Sequence, residues 1–268
     1  MCTLVVLSRP KDPWPILIAA NRDEMTDRPW QAPGRHWPDR PDVVAGLDAL
    51  AGGSWFGLNR FGVVAGVLNR FGSLGPAPGL RSRGELVLEA LDHADADAAA
   101  FALAHLDPRA YRSFNLVVAD NRRAFWLRNL GAEHGAERIE SFPIPPGLSM
   151  ITAYDMNDRT SPRIAEFLPR FEAARVPDPE RGDWAAWQTL LADRGQAAPR
   201  ASRADSPDNR ETGMNVVTGF GFGTSSSSLL ALPSVERRST RPIWLFAAGR
   251  PDEAPYRPVE LAFAREAE

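Results

Sequence analysis

The chain has 268 residues, 44% hydrophobic and 24% charged, which is the balance of a folded water-soluble protein. A formal net charge of −3 gives no strong field toward nucleic acid or anionic membrane, so neither is an expected partner. A single cysteine excludes an internal disulfide and a Cys-based zinc site, and His36, His93, His105 and His134 share no metal-ligand spacing. No apolar run approaches the length of a transmembrane helix, and no basic segment marks a signal peptide, so a cytoplasmic setting is expected. The positive charge is nearly all arginine, with Lys11 the only lysine, a bias that points to a GC-rich bacterial source.

In chain order, Thr3 to Leu7 and Ile16 to Ala20 are β-branched apolar runs around a turn-rich stretch, and they predict a hairpin. Residues 26 to 42, with four prolines plus Trp30 and Trp37, predict an ordered loop. Strands are expected at Val43 to Gly46, Ser54 to Asn59 and Val63 to Asn69. Ser82-Arg83-Gly84-Glu85 matches a capping box with Ser82 as N-cap, leading into a helix with Leu86, Leu88 and Leu91 on its apolar side. An alanine-rich helix follows over 94 to 105. Phe114 to Ala119 and Ala124 to Arg128 predict a hairpin, and about 147 to 153 a further strand. Pro162 after Ser161 opens a helix to about Arg175, and another runs from Asp183 to about Asp193. Residues 196 to 212 are polar and read as a mobile loop, with strands returning at 226 to 232 and 242 to 248. Antiparallel hairpins with grouped helices between them predict an α+β fold over a single domain, 1 to 268.

Three places carry chemistry. Cys2 follows the initiator methionine, and removal of Met1 would leave a thiol beside a free α-amine. An α-amine titrates near about 7.7–8.0 and can take the proton of a thiol near about 8.5. Asn21, Arg22, Asp23 and Glu24 follow the second strand, whose end lies beside the start of the first. A carboxylate there would orient the amine, and an arginine would lower the thiol pKa; the same four residues also suit a capped turn. Asn69 ends a later strand, where its amide can donate to a developing oxyanion or close a turn. Ser225 to Ser228 lines a pocket or forms a turn before a strand, and Gly219 to Gly223 lacks a phosphate-loop lysine.

These segments carry a resemblance. Met-Cys-Thr, Ala19-Ala20-Asn21-Arg22-Asp23-Glu24, residues 52 to 59, 67 to 70, 81 to 86 and Phe114-Asn115-Leu116 resemble the NRDE family, known in eukaryotes as transport and Golgi organisation protein 2. That family is similar to the N-terminal-nucleophile cysteine amidases, including penicillin V acylase and bile salt hydrolase. The resemblance implies a four-layer αββα sandwich of two antiparallel sheets. It also implies Cys2 as nucleophile, Asn21 and Asp23 as orienting groups, and Asn69 as oxyanion donor. The chain departs from the amidases at Ala20, where they place an arginine; Arg22 can replace it only if its side chain turns inward. Met150 stands where the family has an asparagine, with Asn157 as the displaced candidate, and Ser225 where it has an arginine.

Two activities follow from the resemblance. One is hydrolysis of a linear non-peptide amide or acyl bond, with no cofactor. The other is a non-catalytic carrier or chaperone for haem or for lipid or acyl-CoA, with Trp30, Trp37, Trp55 and Trp126 as pocket candidates. Either way the partner is a small-molecule or lipid-like ligand.

Overall fold

The computed structural model describes residues 2–195, 209–237, 239–261 and 263. Its strands are β1 (Thr3–Ser8), β2 (Ile16–Met25), β3 (Trp30–Gly34), β4 (Val43–Asp48), β5 (Phe56–Asn59) and β6 (Val64–Asn69). Helices α1 (Gly84–Leu91) and α2 (Ala96–Ala104) come next, then β7 (Phe114–Ala119), β8 (Ala124–Asn129), β9 (Glu140–Pro143) and β10 (Gly147–Ile151). Helices α3 (Pro162–Ala173) and α4 (Ala185–Ala192) precede β11 (Phe222–Leu232), β12 (Ile243–Ala247) and β13 (Tyr256–Pro258).

The strands form two antiparallel sheets. One has the order β10-β1-β2-β11-β12-β13, the other β3-β4-β5-β6-β7-β8-β9. Side chains alternate along a strand, so a strand buried on both faces has to be apolar at nearly every position. β1 meets that demand. Leu4 and Val6 enter the core between the sheets with Val44, Phe56, Leu58, Val64 and Trp244, while Val5 and Leu7 face the other way. On that outer face Ile164, Phe167 and Phe171 of α3 and Leu191 of α4 cover the first sheet. Leu86, Val87 and Leu91 of α1 and Ala99 and Leu103 of α2 cover the second. The result is the expected four-layer order: helices, sheet, sheet, helices.

Local chemistry accounts for several boundaries. α3 starts where Ser161 accepts from the Ile164 N–H and Pro162 occupies the first turn, as expected. The capping box does not form: α1 begins at Gly84, its N-cap is Arg83 without a side-chain cap, and Ser82 accepts from the Gly84 N–H at 3.2 Å. Other expectations are corrected too. β2 continues through Asn21-Arg22-Asp23-Glu24 to Met25, so these residues form strand and not turn. The expected loop contains the edge strand β3, and β11 begins at Phe222, four residues early. Of the stretch expected to be mobile, 196–208 lies outside the described residues. Its end is tied by Asn209, whose amide donates to the carbonyls of Arg194 and Asn215 and accepts from the Val217 N–H.

Candidate functional site

Cys2 lies just before β1 and lines a cleft of about 210 Å³ together with Arg22, Asp23, Trp55, Asn69, Arg83 and Arg112. Its Sγ sits against the backbone of Asp23, accepting from the N–H at 3.4 Å and facing the carbonyl at 3.5 Å. Burial pushes the thiol above its ordinary value, and the Asp23 carboxylate adds to this; the Asp23 N–H and Arg22 pull the other way.

Alternation along β2 decides which of its polar residues reach the cleft. Arg22 points inward. Its guanidinium lies 4.4 Å from the Trp55 ring centroid, and Nη1 donates to Ser225 Oγ at 3.0 Å. The Arg22 side chain thus turns into the cleft. Ser225, where the family carries an arginine, sits at the bulge in β11 and donates back to the Arg22 carbonyl at 3.2 Å. Burial lowers the Arg22 pKa.

Asn21 points to the opposite face. Its amide donates to the carbonyls of Leu191 (3.0 Å) and Met214 (2.9 Å) beneath α4, so it holds the helical layer and not Cys2. The expected orienting role for Asn21 is therefore corrected. Asp23 is divided: its backbone touches the sulfur, while its carboxylate accepts from Thr224 Oγ1 at 2.6 Å and from Arg163 Nη1 at 3.3 Å. Both side chains of that ion pair are almost fully buried.

Asn69 closes β6 on the cleft wall, and its side-chain amide makes no hydrogen bond among the described residues. The next residue fixes its position. Arg70 donates to Asn115 Oδ1 at 2.7 Å and pairs with Asp155 at 2.8 Å, and the Asn115 amide holds the carbonyls of Thr152 and Tyr154. Asn157 does not take the vacant asparagine position: at φ 60° its Oδ1 accepts from the Met150 N–H at 2.8 Å and shapes the end of β10. Of the four candidate tryptophans, Trp55 lines the cleft. Trp126 is in the inter-sheet core, bonded to Asn115, and Trp37 donates to the Gly52 carbonyl.

Three arginines escaped the sequence reading. Arg163 is one, and it had a signal: a cation in the first turn of a helix opposes the helix dipole and calls for a reason. Arg83 and Arg112 are the others, and they staple the segment between β6 and α1 through its carbonyls. Arg83 reaches Ser73 and Ser113, and Arg112 reaches Leu74 and Gly72. Burial, and then Arg112, bring Arg83 down to about 10.

Among the described residues no three His, Cys, Asp or Glu side chains converge to hold a metal, and no helix is long and apolar enough to cross a membrane. Two solved structures share the fold. An N-acylethanolamine-hydrolyzing acid amidase ortholog from Caenorhabditis elegans aligns with TM-score 0.51 at 14% identity, over 85% of this chain and 92% of that one. A variant of conjugated bile acid hydrolase from Clostridium perfringens aligns with TM-score 0.50 at 13% identity, over 100% and 99%. At such identities the likeness is one of fold: the N-terminal-nucleophile hydrolase fold. In sequence, Transport and Golgi organization 2 homologs from Mus musculus (32% identical over 114 residues) and Homo sapiens (31% over 118) each match 41% of this chain. The chain spans 40% of the length of these relatives, which are mammalian and lend no support to the expected bacterial source. The model of the family Transport and Golgi organisation 2 matches residues 1–181, and the chain belongs to that family.

Proposed function

We propose that the chain is an N-terminal cysteine hydrolase that cleaves a linear, non-peptide amide or related acyl bond through Cys2. The observation that carries this reading is that Cys2 Sγ and an uncommitted Asn69 amide line one cleft. Processing that leaves Cys2 first supplies an α-amine, which takes the Sγ proton. The thiolate attacks the carbonyl carbon, and the S–C bond forms as the C=O electron pair moves to oxygen. The Asn69 amide and a backbone N–H hold that oxyanion. As the C–N bond breaks, the α-ammonium returns its proton to the leaving amine. Water, deprotonated by the same amine, then releases the acyl group from the thioester. Arg22 favours the thiolate by its charge. A reducing, cytoplasmic setting would keep Cys2 a thiol.

A non-catalytic carrier of lipid or acyl-CoA is the second reading. It is favoured by the raised thiol and by the engagement of Asn21 and the Asp23 carboxylate with other partners. Haem fits the cleft poorly: Cys2 is the one soft ligand in its lining, and none of the four histidines lines it. The test is to confirm by mass that Cys2 is first and then compare acyl-amide hydrolysis with Cys2→Ala. Loss of turnover in the variant supports the hydrolase; equal rates remove it; saturable lipid binding without turnover supports the carrier.

A further inference from the structure

The cleft has two unlike ends that meet at Asp23 and Asn69. Toward one end lie Arg22, Arg28, Arg81, Arg83 and Arg112. Three of these guanidiniums have carboxylate partners: Arg22 with Glu24, Arg28 with Asp48, and Arg81 with Glu85 and Glu89. Arg83 and Arg112 have none among the described residues. Their hydrogen bonds go to carbonyls and to the Ser73 hydroxyl, which satisfy donors without cancelling charge. In a chain of net charge −3, this end keeps an uncompensated positive charge on two adjacent arginines.

Beyond Asn69 a second cavity of about 180 Å³ adjoins the first, lined by Met25, Phe71, Leu74, Phe220 and Phe222 besides Asp23, Asn69, Gly72 and two engaged arginines, Arg70 paired with Asp155 and Arg210 stacked over the Phe220 ring. Met25, Phe71, Leu74 and Phe220 are exposed, with Phe71 at 63% and Phe220 at 52%. Large apolar side chains left in water around a concave site mark a place where apolar matter binds. The segment between β6 and α1 supplies both characters. Its carbonyls turn in to Arg83 and Arg112 while Phe71 and Leu74 face out.

We infer that this site takes an amphiphilic anion, with its alkyl chain in the Phe71–Leu74–Phe220 groove and its carboxylate or phosphate at Arg83 and Arg112. The linkage between the two ends lies at Asn69 and Cys2. This rests on the Cys2 cleft being the working site and names the class of molecule it holds: a chain and an anionic head on opposite sides of the bond presented to the thiol.

Binding to the Cys2→Ala variant, in which turnover cannot interfere, tests it by calorimetry with three probes of one chain length. These are N-lauroylglycine, lauryl phosphate and the neutral N-lauroylethanolamine, each below its micelle concentration. At least one anion is expected to bind about tenfold or more tighter than the neutral amide, the scale of one charge-assisted hydrogen bond. Whichever anion does so identifies the head. Arg112→Gln should erase that preference, and Phe220→Ser should weaken all three probes alike. Should Arg112→Gln fail to fold, salt replaces it: the preference should collapse as ionic strength nears 1 M, where screening acts within about 3 Å. Equal binding of the neutral and anionic probes, or a preference indifferent to salt, overturns the inference. The two readings fail separately. Anion-selective binding without turnover in the unaltered chain removes the hydrolase and leaves this site, while turnover without anion preference does the reverse.

Discussion

Cys2 is the residue on which the proposed chemistry turns, and its surroundings make its titration informative. Burial and the Asp23 carboxylate both hold the proton on sulfur while the α-amine is blocked. Alkylation of Cys2 by iodoacetamide, followed by mass against pH in protein retaining Met1, should therefore rise through a midpoint above the ordinary thiol value of about 8.5. Asp23→Asn removes the second-largest cause and should move the midpoint down; Arg22→Gln removes an opposing charge and should move it up. A midpoint at or below that of the unfolded chain would show that the thiol is not held in this way. That Cys2 and Asn69 line one cleft was legible, Cys2 from its place after the initiator methionine and Asn69 from its place at the end of a strand. Asn21 was not. Read as a turn, Asn21 through Glu24 can all converge on the thiol; continued as strand, they alternate, and Asn21 faces α4.

Among elements, the junction of α3 with the first sheet and that of α1 with the second set the cleft walls. Arg163 of α3 binds Asp23 and Thr3 from the face of the sheet covered by helices, at 3.3 and 2.6 Å. Arg163→Met leaves Asp23 as a buried carboxylate without its cation and should cost about 3–5 kcal/mol, read as a fall in the denaturant midpoint at unchanged slope. At the other wall α1 starts in backbone contact with the loop before β5. A Cβ on Gly53 would lie 2.6 Å from the Gly84 carbonyl carbon, with no side chain there to move aside. Gly53→Ala should destabilise by about 1–3 kcal/mol in the same assay. An unchanged midpoint would mean that α1 stands off from that loop. The apolar runs of β1, β6 and β7 were legible because strands covered on both faces have to be hydrophobic throughout. β3 was hidden for the converse reason: it is an edge strand, partly exposed and interrupted by Pro33.

Over the whole molecule, the four layers could be anticipated from antiparallel hairpins with helices grouped between them, together with the family resemblance. The polarity of the cleft could not. It depends on Arg83 and Arg112, distant from each other in sequence, stapling one segment, and on which arginines find carboxylates, neither of which leaves a pattern in the chain. The net charge of −3 even points the other way, because the positive end is local. What the fold contributes is convergence: β1, β2 and β6 bring Cys2, Asp23 and Asn69 to one place, between the end that holds Arg83 and Arg112 and the end where Phe71, Leu74 and Phe220 stand exposed beside Arg70 and Arg210. The most direct measurement of whether that place performs acyl transfer is the intact mass of the protein, with Cys2 first, quenched during incubation with N-lauroylglycine. An adduct equal to the lauroyl group is expected on Cys2, absent from protein that retains Met1. Hydrolysis without any adduct, and undiminished in Cys2→Ala, would contradict it.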